Sequence, residues 1–155
     1  MLLPALGPDA PDRPDLIEVD GRRLSTAELR SAAGAVADRV AGAPAIAVHA
    51  TASLETVVAV LGGLAAGVPV VPVAHDAGPA ERSHVLTDSG AALFLVAAGG
   101  EAPGPEAGVP EGLERVEVEV SARGRGSHVE PPADATGMIL YTSGTTGPPK
   151  GVVIS

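Results

Sequence analysis

The stretch "AIAVHATASLETVVAVLGGLAAGVPVVPV", residues 45–73, decides the fold class. It opens on an apolar run of strand length (45–50) and closes on another (68–73), and the residues between are too many for a turn. Ser53 stands where it can cap a helix through "SLETVVAVLGGLAAG", residues 53–67. Two apolar strands joined by a helix form the crossover that a parallel pair requires, whereas an antiparallel pair could close with a tight turn. Gly62 and Gly63 each weaken the helix by about 1 kcal/mol relative to alanine, so their presence predicts close packing against a neighbouring element.

The same alternation extends on both sides. Upstream, Ser25 and Glu28 have capping-box spacing, and Leu29, Ala32, Ala33, Val36, Ala37 and Val40 follow at helical intervals up to Gly42. Downstream, Pro79 suits the first turn of a helix covering about 80–89, and "AALFLV" (91–96) is another strand. Asp76 and Glu81 lie near the start of that helix, where acidic side chains favour its dipole. The prediction is an α/β fold: alternating strands and helices forming a mainly parallel sheet with helices on its faces.

One domain is expected, with no internal repeat. Residues 1–15 read as an irregular arm rich in Pro and Asp, and 16–96 as the α/β subdomain. Residues 97–136 are loops around one strand, "RVEVEV" (115–120), whose strict alternation of Val with charge predicts a strand wet on one face. Residues 137–155 read as strand, loop, strand, with "GMILYTS" (137–143) expected to be buried. Arg22 and Arg23 are expected beside a surface turn.

Composition narrows the function classes. Across 155 residues, a hydrophobic fraction of 45% is enough to build a core. That core must come from Ala, Val, Leu and Ile, since the aromatic residues are one Phe and one Tyr, with no Trp. A net charge of −9 and the lack of a basic stripe argue against nucleic acid as a partner. With no cysteine, no basic and apolar leader, and no run of the roughly 18 apolar residues a membrane span needs, the expectation is a cytoplasmic protein. His49, His75, His84 and His128 have no mutual spacing that suggests a metal site, and His49 within an apolar strand reads as a packed, hydrogen-bonded residue.

The chemistry lies in "TSGTTGPPKG", residues 142–151, between two apolar strands. Glycines 144, 147 and 151 let backbone N–H groups turn inward and approach an anion closely. Thr142, Ser143, Thr145 and Thr146 add hydroxyl donors, and Lys150, the one lysine of the chain, adds a mobile positive charge. A loop rich in Gly, Ser and Thr is by itself more often a plain surface turn. The Walker pattern does not apply, because Pro149 rather than glycine precedes Lys150 and Gly151 follows it.

What the loop resembles is the signature of the adenylate-forming superfamily: acyl-CoA synthetases, peptide-synthetase adenylation domains and firefly luciferase. The pattern is an aromatic residue, any residue, then S-G-[ST]-T-G-x-P-K-G. Tyr141, Ser143, Gly144, Thr145, Thr146, Gly147, Pro149, Lys150 and Gly151 meet it at every place. The segments "LSTAELRSAAGAVADRV", residues 45–73 and "HVLTDSGAALFLV" are similar to the early helices and strands of the same superfamily. With "GLERVEVEVSARG", their spacing most resembles actinobacterial malonyl-CoA or methylmalonyl-CoA synthetases.

The resemblance implies that the chain is part of the large N-terminal domain of an adenylate-forming enzyme. It implies a ligase that uses ATP with Mg2+ to convert a carboxylate to an acyl-adenylate, then passes the acyl group to coenzyme A. By the same resemblance, Thr142, Ser143, Gly144, Thr145, Thr146, Gly147 and Lys150 hold the ATP phosphates, and Lys150 takes the catalytic role of steadying the departing pyrophosphate. Alternatives are a fatty-acid or aryl-acid CoA ligase, a peptide-synthetase adenylation domain, or, from another class, a non-catalytic nucleotide-binding module.

The superfamily's full enzymes are several times longer. Their adenine and acyl pockets, magnesium-holding glutamate, ribose-binding aspartate, hinge and C-terminal catalytic lysine have no counterpart in residues 1–155. The expectation is that these residues alone do not catalyse adenylation and that the remainder of the enzyme completes the fold. "GVVIS" at the end is expected to present an open apolar edge.

Overall fold

The computed structural model describes residues 6, 7, 9–124, 132, 134–142 and 149–155. Among them run β1 (Ile17–Val19), β2 (Arg22–Leu24), α1 (Thr26–Val40), β3 (Ile46–Ala50), α2 (Leu54–Ala65), β4 (Val70–Ala74), α3 (Pro79–Asp88), β5 (Leu93–Ala97), β6 (Glu114–Val118), β7 (Met138–Thr142) and β8 (Lys150–Ile154). A short 3-10 turn spans Pro105–Ala107.

The helix starts are where their caps put them. Ser25 Oγ accepts from the Glu28 amide at 3.2 Å, and the Glu28 carboxylate accepts from the Ser25 amide at 2.8 Å, completing the capping box of α1. Ser53 Oγ accepts from the Thr56 amide at 3.2 Å to open α2.

The two glycines of α2 explain how it fits between its neighbours. A Cβ on Gly62 would stand 2.5 Å from Val36 Cβ and 2.9 Å from the Ala33 carbonyl oxygen, both on α1. A Cβ on Gly63 would stand 2.6 Å from Ile46 Cδ1 on β3 and 2.6 Å from Val70 Cγ2 on β4. The helix therefore needs one bare face toward α1 and another toward the sheet. Close packing recovers the helix propensity these positions give up.

The main sheet has strand order β6-β5-β3-β4-β7-β8. Every pairing in it is parallel except that of β7 with β8. Alternate residues of the central strands divide two cores. Ile46, Val48, Val70 and Leu95 pack with Val58 and Ala59 of α2 and with Leu29, Val36 and Val40 of α1. Ala45, Ala47, Val71, Val73, Phe94 and Val96 form the other core, with Val85 and Leu86 of α3. The helices thus cover both faces of the sheet, as right-handed crossovers in opposite directions along it require.

β6 buries Val116 and Val118 and exposes Glu117 between them, so the alternation there has its predicted meaning. The strand over 137–143 differs from expectation. β7 is half-exposed along its length, because the ladder it shares with β4 contains one residue pair, Val70 with Met138, before β7 turns to β8. β8 is exposed throughout, with Val152, Val153 and Ile154 on the surface.

The β1–β2 hairpin was not anticipated, since two strands of three residues are too short to show a period. Its turn places Asp20 and Gly21 at φ +50° and +73°, with Arg22 and Arg23 directly beyond. Arg22 reaches across to α2 and donates to both oxygens of Glu55, at 2.9 and 3.3 Å. The N-terminal arm is also held: Asp12 accepts from the Ala27 amide, and the Arg30 guanidinium donates to the carbonyls of Leu6 and Gly7.

Candidate active site

In open α/β sheets, ligands are held beyond the carboxyl ends of the parallel strands. The loop that follows β7 leaves from that end, between Thr142 and Lys150. These two residues face each other as the last pair of the antiparallel ladder, followed inward by Tyr141 with Gly151 and Leu140 with Val152. Thr142 and Lys150 are both exposed, so the two residues stand paired and open to solvent at the mouth of the loop. Ser143, Gly144, Thr145, Thr146 and Gly147 lie outside the described residues.

Gly151 has a packing reason for being glycine. A Cβ there would stand 3.1 Å from Tyr141 Cζ and 3.1 Å from Ile139 Cγ2, so the Tyr141 ring lies across the partner strand where a side chain would have been. The ring sits edge-on to His84 of α3, with centroids 6.2 Å apart and planes at 89°. Its hydroxyl donates to Asp88 Oδ2 at 2.7 Å. Burial first, and then the Asp88 carboxylate, push the Tyr141 phenol up from 10.0 to about 12. A raised folded pKa means that stability from this contact is present below pH 10 and is lost as pH climbs toward about 12.

His84 makes a second bond to the same hairpin. Its Nε2 lies 2.8 Å from the carbonyl oxygen of Pro149. A carbonyl only accepts, so Nε2 carries the proton and donates. Neither His84 nor Asp88 was singled out from the sequence as a site residue. Their partners are 65 and 53 residues away, and no local spacing signals such contacts.

His49, near the carboxyl end of β3, and His75, just beyond β4, lie beside Arg82 of α3. His49 is buried, 9% exposed, and tilts against Phe94 with centroids 6.0 Å apart. Burial, with the nearby Arg82 charge second, holds it below its ordinary 6.5. Arg82, 4% exposed, donates to the Ala107 carbonyl at 2.6 Å and the His75 carbonyl at 3.0 Å. It thereby ties the 3-10 turn to the end of β4. Among the described residues no cluster of three His, Asp or Glu could hold a metal ion, and no helix is long and apolar enough to cross a membrane.

With this geometry in view, the kinship is direct: the chain belongs to the AMP-binding enzyme family, whose model matches residues 7–155. It is similar to a malonyl-CoA ligase solved as a ternary product complex with methylmalonyl-CoA and AMP, at 43% identity and a TM-score of 0.86 over 98% of this chain. It is also similar to the O-succinylbenzoate coenzyme A synthetase of Bacillus subtilis, at 30% identity and a TM-score of 0.67 over 89% of this chain. Among sequence relatives, the nonribosomal peptide synthetase gliP of Aspergillus fumigatus is 37% identical over 91% of this chain. The sulfoacetate–CoA ligase of Cupriavidus necator is 32% identical over 94%.

The chain covers 32% of the malonyl-CoA ligase, 37% of the O-succinylbenzoate synthetase, 32% of the sulfoacetate ligase and 7% of gliP. The fold is that of the N-terminal domain of adenylate-forming enzymes, and the predicted α/β class stands.

Proposed function

We propose that residues 1–155 are the N-terminal portion of the AMP-binding domain of an ATP-dependent acyl-CoA ligase, with 142–151 as its phosphate loop. The observation that carries this reading is the pairing of Thr142 with Lys150 at the carboxyl end of β7. It brings a hydroxyl donor and the one lysine of an acidic chain to the mouth of a loop of signature sequence.

In the proposed reaction a carboxylate oxygen attacks the α-phosphorus of ATP, and the bond to pyrophosphate breaks as the acyl-adenylate forms. A thiol then attacks the acyl carbon and expels AMP. The protein supplies no nucleophile; it positions the reactants and offsets negative charge. Thr142, Ser143, Gly144, Thr145, Thr146 and Gly147 contribute donors to the β- and γ-phosphates, and Lys150 balances the charge that gathers on departing pyrophosphate. Mg2+ would travel with the nucleotide phosphates. A cytoplasmic setting suits ATP and coenzyme A as substrates.

Malonate or methylmalonate is the favoured acid, supported by 43% identity to the malonyl-CoA ligase. A peptide-synthetase adenylation domain is the second reading, favoured by the 37% identity to gliP. The residues of this chain alone are proposed to bind but not to turn over.

Isothermal titration with ATP and with inorganic pyrophosphate tests the loop. Binding by the chain, and its loss in Lys150→Ala, is the expected result. Equal binding by that variant would remove Lys150 from its role, and ATP–pyrophosphate exchange by residues 1–155 alone would overturn the proposal that the piece is inactive.

A further inference from the structure

The β7–β8 hairpin has few ties to the sheet that bears it. β7 shares one ladder pair with β4, Val70 with Met138, reinforced by the Val70 amide donating to the Gly137 carbonyl at 2.9 Å. Both contacts lie at the start of β7. The loop leaves from its other end, so a hairpin held only there would swing its tip, and Thr142 and Lys150 with it.

Beyond the packing of Ile139 and Tyr141 on the second core, the tip is tied to α3 by one side-chain hydrogen bond to each strand end. Asp88 accepts from Tyr141, the residue before Thr142, and His84 donates to Pro149, the residue before Lys150. The two groups on α3 are four residues apart and so share one helix face. Phe94, Val85 and Leu86 seat that helix on the sheet from its other side. α3 therefore helps to orient the loop, alongside the β4 ladder pair and the packing of Met138, Ile139 and Tyr141 against the two cores.

We propose that His84 is a positioning residue for the phosphate loop, acting with Asp88 as a two-point clamp on the β7–β8 hairpin that sets where the Lys150 ammonium stands relative to Thr142. The role rests on the reading of 142–151 as a phosphate loop, but the clamp itself exists without ligand. His84 touches no reacting atom. It acts through the peptide of Pro149, whose orientation fixes where the lysine side chain begins, and its loss leaves the lysine present but misplaced.

The test compares His84→Ala with His84→Gln, whose amide nitrogen can still donate to the Pro149 carbonyl but which has no ring. Two measurements at neutral pH separate the clamp from the phosphate reading. The first is the tyrosine band in near-ultraviolet circular dichroism, which comes from Tyr141 alone because the chain has one Tyr and no Trp. The second is pyrophosphate affinity by isothermal titration.

His84→Ala is expected to lose the Tyr141 band and to bind pyrophosphate about fivefold more weakly, the equivalent of one ordinary hydrogen bond. His84→Gln should restore both. If His84→Ala leaves the band and the affinity unchanged, or if His84→Gln behaves as His84→Ala does, the clamp is overturned. If the unaltered chain does not bind pyrophosphate, the phosphate reading fails. In that case the tyrosine band still decides whether His84 fixes the hairpin.

Discussion

Ile46, Val58 and Ala59, where β3 meets α2, are exposed by 1% or less of their surface, whereas Val152, Val153 and Ile154 of β8 are exposed by 50%, 62% and 42%. Both regions are apolar and both are built on strands, yet different constraints shape them. Around α2 the available volume dictates the residue: two glycines are present because Val36, Ile46 and Val70 leave no room for a methyl group. At Thr142 and Lys150, under the proposed function, chemistry dictates the residue. The hairpin tip carries Thr142 and Lys150 in the open, and polar contacts to α3 add to the packing of Ile139 and Tyr141 on the second core. A core residue is thus read through its loss of stability, and a hairpin residue through its loss of ligand.

That contrast can be broken by mutation. The largest effect is expected from Leu95→Ala on β5, a fully buried side chain in the core shared with α1 and α2. Truncation there should cost about 2–5 kcal/mol, read as a lowered midpoint in urea unfolding. A cost below that range would mean the core collapses into the gap.

Gly62→Ala comes next and is the sharper test, because two effects oppose each other. Helix propensity would reward the alanine by about 1 kcal/mol, whereas forcing a methyl group against Val36 Cβ and the Ala33 carbonyl should cost about 1–3 kcal/mol. Net destabilisation is expected, and a variant more stable than its parent would show that α1 yields easily.

Lys150→Ala should have the smallest effect on stability. An exposed residue on an edge strand should change the unfolding free energy by no more than about 0.5 kcal/mol, even as pyrophosphate binding falls. If the same variant were to unfold much more readily, the lysine would be holding the hairpin and the contrast would dissolve.

Much of this was legible in the sequence. The apolar runs at 45–50, 68–73 and 91–96 and the helices between them, with caps at Ser25 and Ser53, all formed near their expected bounds. Gly62 and Gly63 were legible as contact positions, but not their neighbours. The burial expected of 137–143 is not found over the described residues 137–142. An apolar strand reads alike whether it lies deep inside a sheet or beside an exposed edge strand, and only the strand order distinguishes the two. The hairpin of β1 and β2 was invisible, because its stability comes from contacts such as Arg22 with Glu55 rather than from its own period.

By itself the sequence determined the period of each element, the ends of its helices, the sign of its charge and the loop whose residue types suit an anion. These are local properties, set by backbone sterics, capping and side-chain chemistry within a few residues. Only the tertiary structure decided that β5 lies beside β3 and β7 beside β4, which core each strand face joins, and that α3 reaches the hairpin through His84 and Asp88. Those contacts join residues 47 to 68 positions apart, and what brings them together is the burial of two separate cores rather than any spacing along the chain.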